Sequence, residues 1–142
     1  MWTTLREGTN ELVCLTDDPE AEGFNVACYH SDLDPFMARG RELRAQGVGA
    51  AENLQTREAE VAAGTLAWPE TARTLYVMAG PEGAFNPETG EAPGAALRYV
   101  VYVPYATGAS TGLSETPGAP GVPWLMAPGS YRAHIMIVPP QG

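Results

Sequence analysis

Lysine does not occur in the 142 residues; all eight basic side chains are arginines, set against 17 acidic ones for a net charge of −9. That shortage of positive charge argues against nucleic acid, whose phosphates would be repelled, and against an anionic membrane surface. It leaves cationic partners, metal ions and neutral ligands open, and net charge by itself also keeps a chain soluble. No segment approaches the roughly 18 consecutive apolar residues of a spanning helix, so membrane insertion is not expected. The first residues lack the basic stretch and apolar core of a signal peptide; Met1 runs straight into Trp2-Thr3-Thr4-Leu5, which reads as folded chain. Also missing are a Walker loop, GxGxxG, HExxH, zinc-finger spacing and CxxCH, so no cofactor is expected.

What is abundant is turn chemistry. The 16 glycines and 13 prolines make up about a fifth of the chain, against roughly 12% on average. With 44% apolar residues, this reads as one globular domain over 1–142, with short elements joined by long ordered loops.

The clearest helix is expected over 32–47. Asp34 is placed to cap it, Pro35 suits the first helical position, Gly47 can end it, and Phe36, Met37, Gly40 and Leu43 share a face. A second helix is expected over 50–62, with a thin apolar stripe at Leu54 and Val61. The remainder reads as strands: a strand or hairpin within 2–15, a piece carrying Phe24, Val26 and Cys28, then 74–79, 97–103, 124–126 and 133–138. The runs Tyr99–Val103 and Ile135–Val138 each end at proline and read as central strands buried on both faces. The expected fold is therefore α+β: a small, mostly antiparallel sheet, one or two helices from 32–62 on one face, and long Pro/Gly loops.

There are two cysteines, Cys14 and Cys28. In an oxidising compartment they read as a disulfide, in a reducing one as two partly buried thiols. Alone they fall short of the four ligands usual for structural zinc.

Three stretches, Leu5–Asn10 with Cys14–Pro19 and Cys28, Leu75–Gly80, and Val122–Met136, resemble a group of usually exported bacterial proteins with no assigned activity. The resemblance implies an export signal outside these residues, a periplasmic or extracellular location, and a Cys14–Cys28 disulfide. Members of that group tend to carry histidine before the middle apolar run, where this chain has Arg98, which weakens any paired-histidine site.

Candidate chemistry is thin. His134 enters an apolar strand after a turn, where imidazole could serve a pocket or a metal; the plainer reading is a core-edge histidine bonded to backbone. His30, Asp32 and Asp34 offer nitrogen and oxygen ligands to a divalent ion, yet helix capping accounts for the same residues. Gly108-Ala109-Ser110-Thr111-Gly112 matches GxSxG, but Leu113–Pro117 reads as loop where that motif needs a helix, so a flexible Gly/Ser loop is expected. Asp17, Asp18, Glu20 and Glu22 could supply oxygens to calcium but lack EF-hand spacing. The aromatic residues serve either a core or an interface. The leading expectation is a non-enzymatic extracytoplasmic domain that docks onto a protein partner or self-associates. The competing one is a small metal-binding protein or enzyme using His134, with His30 or nearby carboxylates.

Overall fold

The computed structural model describes residues 2–140. Six strands form one antiparallel sheet: β1 (Leu12–Leu15), β2 (Phe24–His30), β3 (Arg73–Gly80), β4 (Ala96–Tyr102), β5 (Trp124–Met126) and β6 (His134–Ile137). Their spatial order is β1-β2-β3-β4-β6-β5. Two helices, α1 (Asp34–Ala45) and α2 (Ala50–Ala62), lie between β2 and β3, and a one-turn helix, α3 (Gly108–Thr111), follows β4. The fold is α+β, as the alternation of apolar pattern and turn residues implies.

The pairing register sorts the side chains onto two faces. Val13, Tyr29, Leu75, Val100 and Met136 fall on one face, because Val13 opposes Tyr29, Tyr29 opposes Leu75, Leu75 opposes Val100 and Val100 opposes Met136. This is the helix side. Tyr29, Leu33, Val100 and Tyr102 form its buried centre, with Met37 and Trp68 packed against them. α1 buries Phe36, Gly40 and Leu43, the face its sequence spacing marks. α2 fastens to α1: Asn53 Nδ2 donates to the Gly40 carbonyl at 2.8 Å, and Arg39 donates two hydrogen bonds to Glu60 from Nε and one from Nη2. Trp68, in the connection to β3, packs edge-on against Phe36, Tyr102 and Tyr131 and donates its indole N–H to the Tyr131 carbonyl at 2.7 Å.

Several expectations need correction. Trp2–Leu5 forms no strand; Leu5 is 78% exposed, and β1 pairs with β2 instead. Asp34 does not cap α1. A 3-10 turn, Ser31–Leu33, precedes the helix, Leu33 holds the cap position without a side-chain bond, and Asp34 lies inside the first turn. Its carboxylate is drawn away by stronger partners, accepting from the Tyr29 hydroxyl and from Arg41. Pro35 does sit in the first turn and Gly47, at φ 84°, terminates the helix. GxSxG is no flexible loop: α3 is a helical turn with a capping box, in which Thr107 Oγ1 accepts from Ser110 N and Ser110 Oγ accepts from Thr107 N.

The Tyr29 hydroxyl is pushed up to about 12, first by burial and then by its bond to Asp34. It also accepts from Arg41 Nη1 at 2.9 Å. Tyr29→Phe removes both bonds and leaves the half-buried Arg41 with fewer acceptors. Urea unfolding should show a loss of about 1–2 kcal/mol; an unchanged midpoint would mean the network contributes nothing.

Candidate functional site

The second face of the sheet is apolar, and among the described residues the two long helices pack on the opposite face. Register places Phe24, Val26 and Cys28 of β2 beside Tyr76 and Met78 of β3, with Leu97 and Tyr99 of β4 next in line. The end nearest β5 is closed, since Leu125 is fully buried. The end over β2 and β3 is open: Tyr76 is 42% exposed. In β4 and β6, the strands expected to be buried on both faces, residues 99–102 and 135–137 are buried or partly buried; the open end lies over β2 and β3.

Over this open end lies a groove of about 820 Å³. Its floor is Phe24, Val26 and Met78; Thr16 and Asp17 form one wall, and Phe85 with Gly90–Pro93 the other. Both walls are ordered. Asp17 Oδ1 accepts from Asn25 N, and Glu82 Oε2 accepts from Gly23 N, each at 2.8 Å, the second bond tying the two loops together. Within the 81–95 loop, Asn86 N donates to the Glu91 carbonyl and Gly90 N to the Asn86 carbonyl, both at 2.8 Å. Phe85 stacks nearly parallel on Phe24 with ring centroids 5.9 Å apart, yet it remains 46% exposed.

Gly80 lets the far wall settle onto the sheet. A Cβ there would lie 3.0 Å from Ala95 Cα and 3.2 Å from the Cβ of Ala84. Ala84 is itself buried, so neither neighbour can withdraw cheaply. Gly80→Val should cost about 1–3 kcal/mol through overpacking and displace the loop bearing Phe85. Thermal unfolding checks the first effect, and loss of the Phe24–Phe85 ring contact by NMR checks the second.

The rim is acidic. Asp17, Asp18, Glu20 and Glu22 stand in one loop, and Glu82, Glu88 and Glu91 in the other. No arginine or histidine occurs in 16–28 or in 74–97. The carboxylates do not converge on an ion: Asp17 is held by Asn25 N, and Asp18 Oδ1 accepts from Glu20 N at 2.9 Å in a local turn.

Cys14 and Cys28 lie directly opposite each other on β1 and β2 and form a disulfide. It closes the base of the 16–23 loop and so holds one wall of the groove. Such a bond fits an oxidising compartment. No helix among the described residues is long and apolar enough to cross a membrane.

Of the other candidate residues, only His30 and Asp32 come together, with His30 Nδ1 3.7 Å from Asp32 Oδ2. His30 Nδ1 accepts from Asp32 N at 3.0 Å and caps the 3-10 turn. Asp32 pairs with Arg73 at 2.8 Å, and Asp34 with Tyr29 and Arg41. His134 sits in β6, with β3 and β4 between it and His30 in the sheet order. At about 4.8 Å per strand this spacing is too wide for one shared ion. Among the described residues, no three His, Cys, Asp or Glu side chains gather as a metal site requires. A smaller hollow of about 440 Å³ is lined by Ser110 and Tyr105 among others, with neither histidine on its wall.

His134 is buried, its Nδ1 is 2.7 Å from the Arg132 carbonyl, and its ring lies 5.3 Å from that of Tyr102. The bond to a carbonyl fixes the proton on Nδ1. Burial lowers its pKa below the usual histidine range, and the nearby charges of Arg132 and Arg98 lower it further; only the carbonyl bond opposes them. The unfolded chain therefore binds the proton more readily than the folded one. Stability should fall as pH drops below about 6.5, down to the depressed folded value. His134→Gln should flatten the pH–stability curve just below about 6.5, measured by chemical denaturation; an unaltered slope would locate the acid sensitivity elsewhere.

Sequence reasoning placed Phe24, Val26 and Met78 in strands but missed the groove. The signal that could have found it is Phe85, the one aromatic residue within a Gly/Pro/Glu stretch. No family model, curated protein or solved structure matches the chain.

Proposed function

We propose that this chain is a non-enzymatic extracytoplasmic binding domain, an accessory piece that docks onto a protein partner through the uncovered face of its sheet. One observation carries the reading: an apolar groove, walled by two ordered loops and bearing half-exposed aromatics, on the sheet face opposite the one where the helical layer packs. Exposed aromatic side chains on a rigid scaffold are the usual anchors of protein interfaces. The disulfide supports an oxidising setting, periplasmic or extracellular, because the cytosol keeps such thiols reduced.

A photo-crosslinking residue at position 76, beside the groove, tests this in the native host against the same residue at position 52, on exposed α2. A discrete protein adduct from 76, lost on Phe85→Asp and not formed from 52, is the expected result. No adduct from 76, or the same adducts from both positions, would remove the docking reading. Fractionation of the host with a cysteine-alkylation assay checks the compartment: the protein should leave with the extracytoplasmic fraction and carry no reactive thiol.

A further inference from the structure

We infer that the groove takes an extended segment of the partner in which large apolar side chains are flanked on both sides by arginine or lysine. The inference rests on the docking reading and names the chemistry of the docked segment. Three features lead to it.

The floor and far wall are apolar, with Phe24, Val26, Met78, Phe85 and Pro93. A volume of about 820 Å³ is in the range of small-ligand sites, so it holds a few side chains and not a whole domain. The occupant therefore inserts a short apolar centre.

The charge is one-sided. Glu20 and Glu22 on one loop and Glu88 and Glu91 on the other are exposed, and neither stretch contains a compensating cation. Arg98, nearest in sequence to the second loop, opposes Val77 and so belongs to the helix side of the sheet. An anionic occupant would be repelled from both walls and a neutral one would leave them unmatched. Opposite charges placed across an interface speed encounter and set register.

The acidic residues are distributed along both loops instead of meeting at one point. A single compact cation cannot answer them together, whereas a chain with basic residues on either side of its apolar centre can. The chain has no lysine, and Arg98 faces the other side of the sheet, so neither competes for that rim.

The test uses a labelled, unstructured octapeptide with a leucine–phenylalanine centre and a pair of arginines at each end, titrated into the oxidised protein by fluorescence anisotropy. Controls replace the arginines with glutamates, or the centre with alanines. Saturable binding is expected for the first peptide and at least about tenfold weaker binding for each control. Raising salt from about 0.05 to about 0.5 M should weaken it severalfold. Glu88→Gln with Glu91→Gln should reduce affinity about three- to tenfold, and Phe85→Ser about thirtyfold. An unchanged melting temperature for Phe85→Ser shows that a lost groove, not a lost fold, is being read. No saturable binding of the arginine peptide, equal affinity of the glutamate peptide, or indifference to Phe85→Ser would each overturn the inference. A partner captured at position 76 whose contacting segment lacks basic residues would overturn it too, while leaving docking itself in place.

Discussion

Breaking the Cys14–Cys28 bond should lower the unfolding free energy by about 3 kcal/mol. The cysteines are 14 positions apart, and a ring of that size restricts the unfolded chain by about this amount in the loop-entropy description. For a chain of this length the loss corresponds to a fall of about 10 °C in melting temperature. The β1–β2 ladder runs from Leu12 opposite His30 to Leu15 opposite Ala27 through backbone pairing that does not use the sulfurs, so the reduced protein should still fold. The comparison is calorimetry of the oxidised protein, the same protein with reductant, and a double variant with Cys14→Ser and Cys28→Ser. A loss under about 1 kcal/mol would show that the ladder alone holds β1. Because Thr16 and Asp17 line the groove from within this ring, reduction should also weaken the octapeptide, more than Cys-free surface changes elsewhere do.

Leu33→Ala should be as damaging or more. Leu33 has no exposed surface and shares the buried centre with Tyr29, Val100 and Tyr102. It closes the 3-10 turn just ahead of α1, so it is the point where the helical layer is pinned to the sheet. Truncation removes the transfer energy of the side chain and leaves a cavity that rigid aromatic neighbours cannot fill. The expected cost is about 3–4 kcal/mol, within the usual span for a buried leucine. Leu5→Ala is the matching control: at 78% exposure it should change stability by less than about 0.5 kcal/mol. Equal effects at the two positions would mean that the buried centre lies elsewhere.

These two sites also show what could be read from the chain and what could not. Helix α2 falls where its spacing implies, because Ala, Leu, Gln and Glu favour helix and no competing partner intervenes. The strands Arg73–Gly80 and Ala96–Tyr102 are legible from their β-branched and aromatic runs. Asp34 misled because capping reasoning considers neighbours in sequence, whereas its carboxylate is claimed by Tyr29 and by Arg41 one helical turn and more away. Trp2 misled for a similar reason: its ring lies against the Arg41 guanidinium, 4.9 Å from its centre, and gains that contact without joining a strand. The groove was the least legible part. Its floor comes from β2 and β3, some fifty positions apart in sequence, and its far wall from a loop whose composition signals only turns. What brings them together is the pairing of Phe24 with Gly80 and the stacking of Phe85 on Phe24, neither of which a local pattern encodes.

The sulfur link has one more effect. Residues 15–27 sit inside a covalent ring, and the exposed stretch of Pro19 to Glu22 is its outermost part. A protease cutting there would open the ring without releasing a fragment, so the nicked protein would migrate as one species on a gel until reductant separated it into two. The acidic wall of the groove thus sits on a segment that survives a single cleavage still attached at both ends.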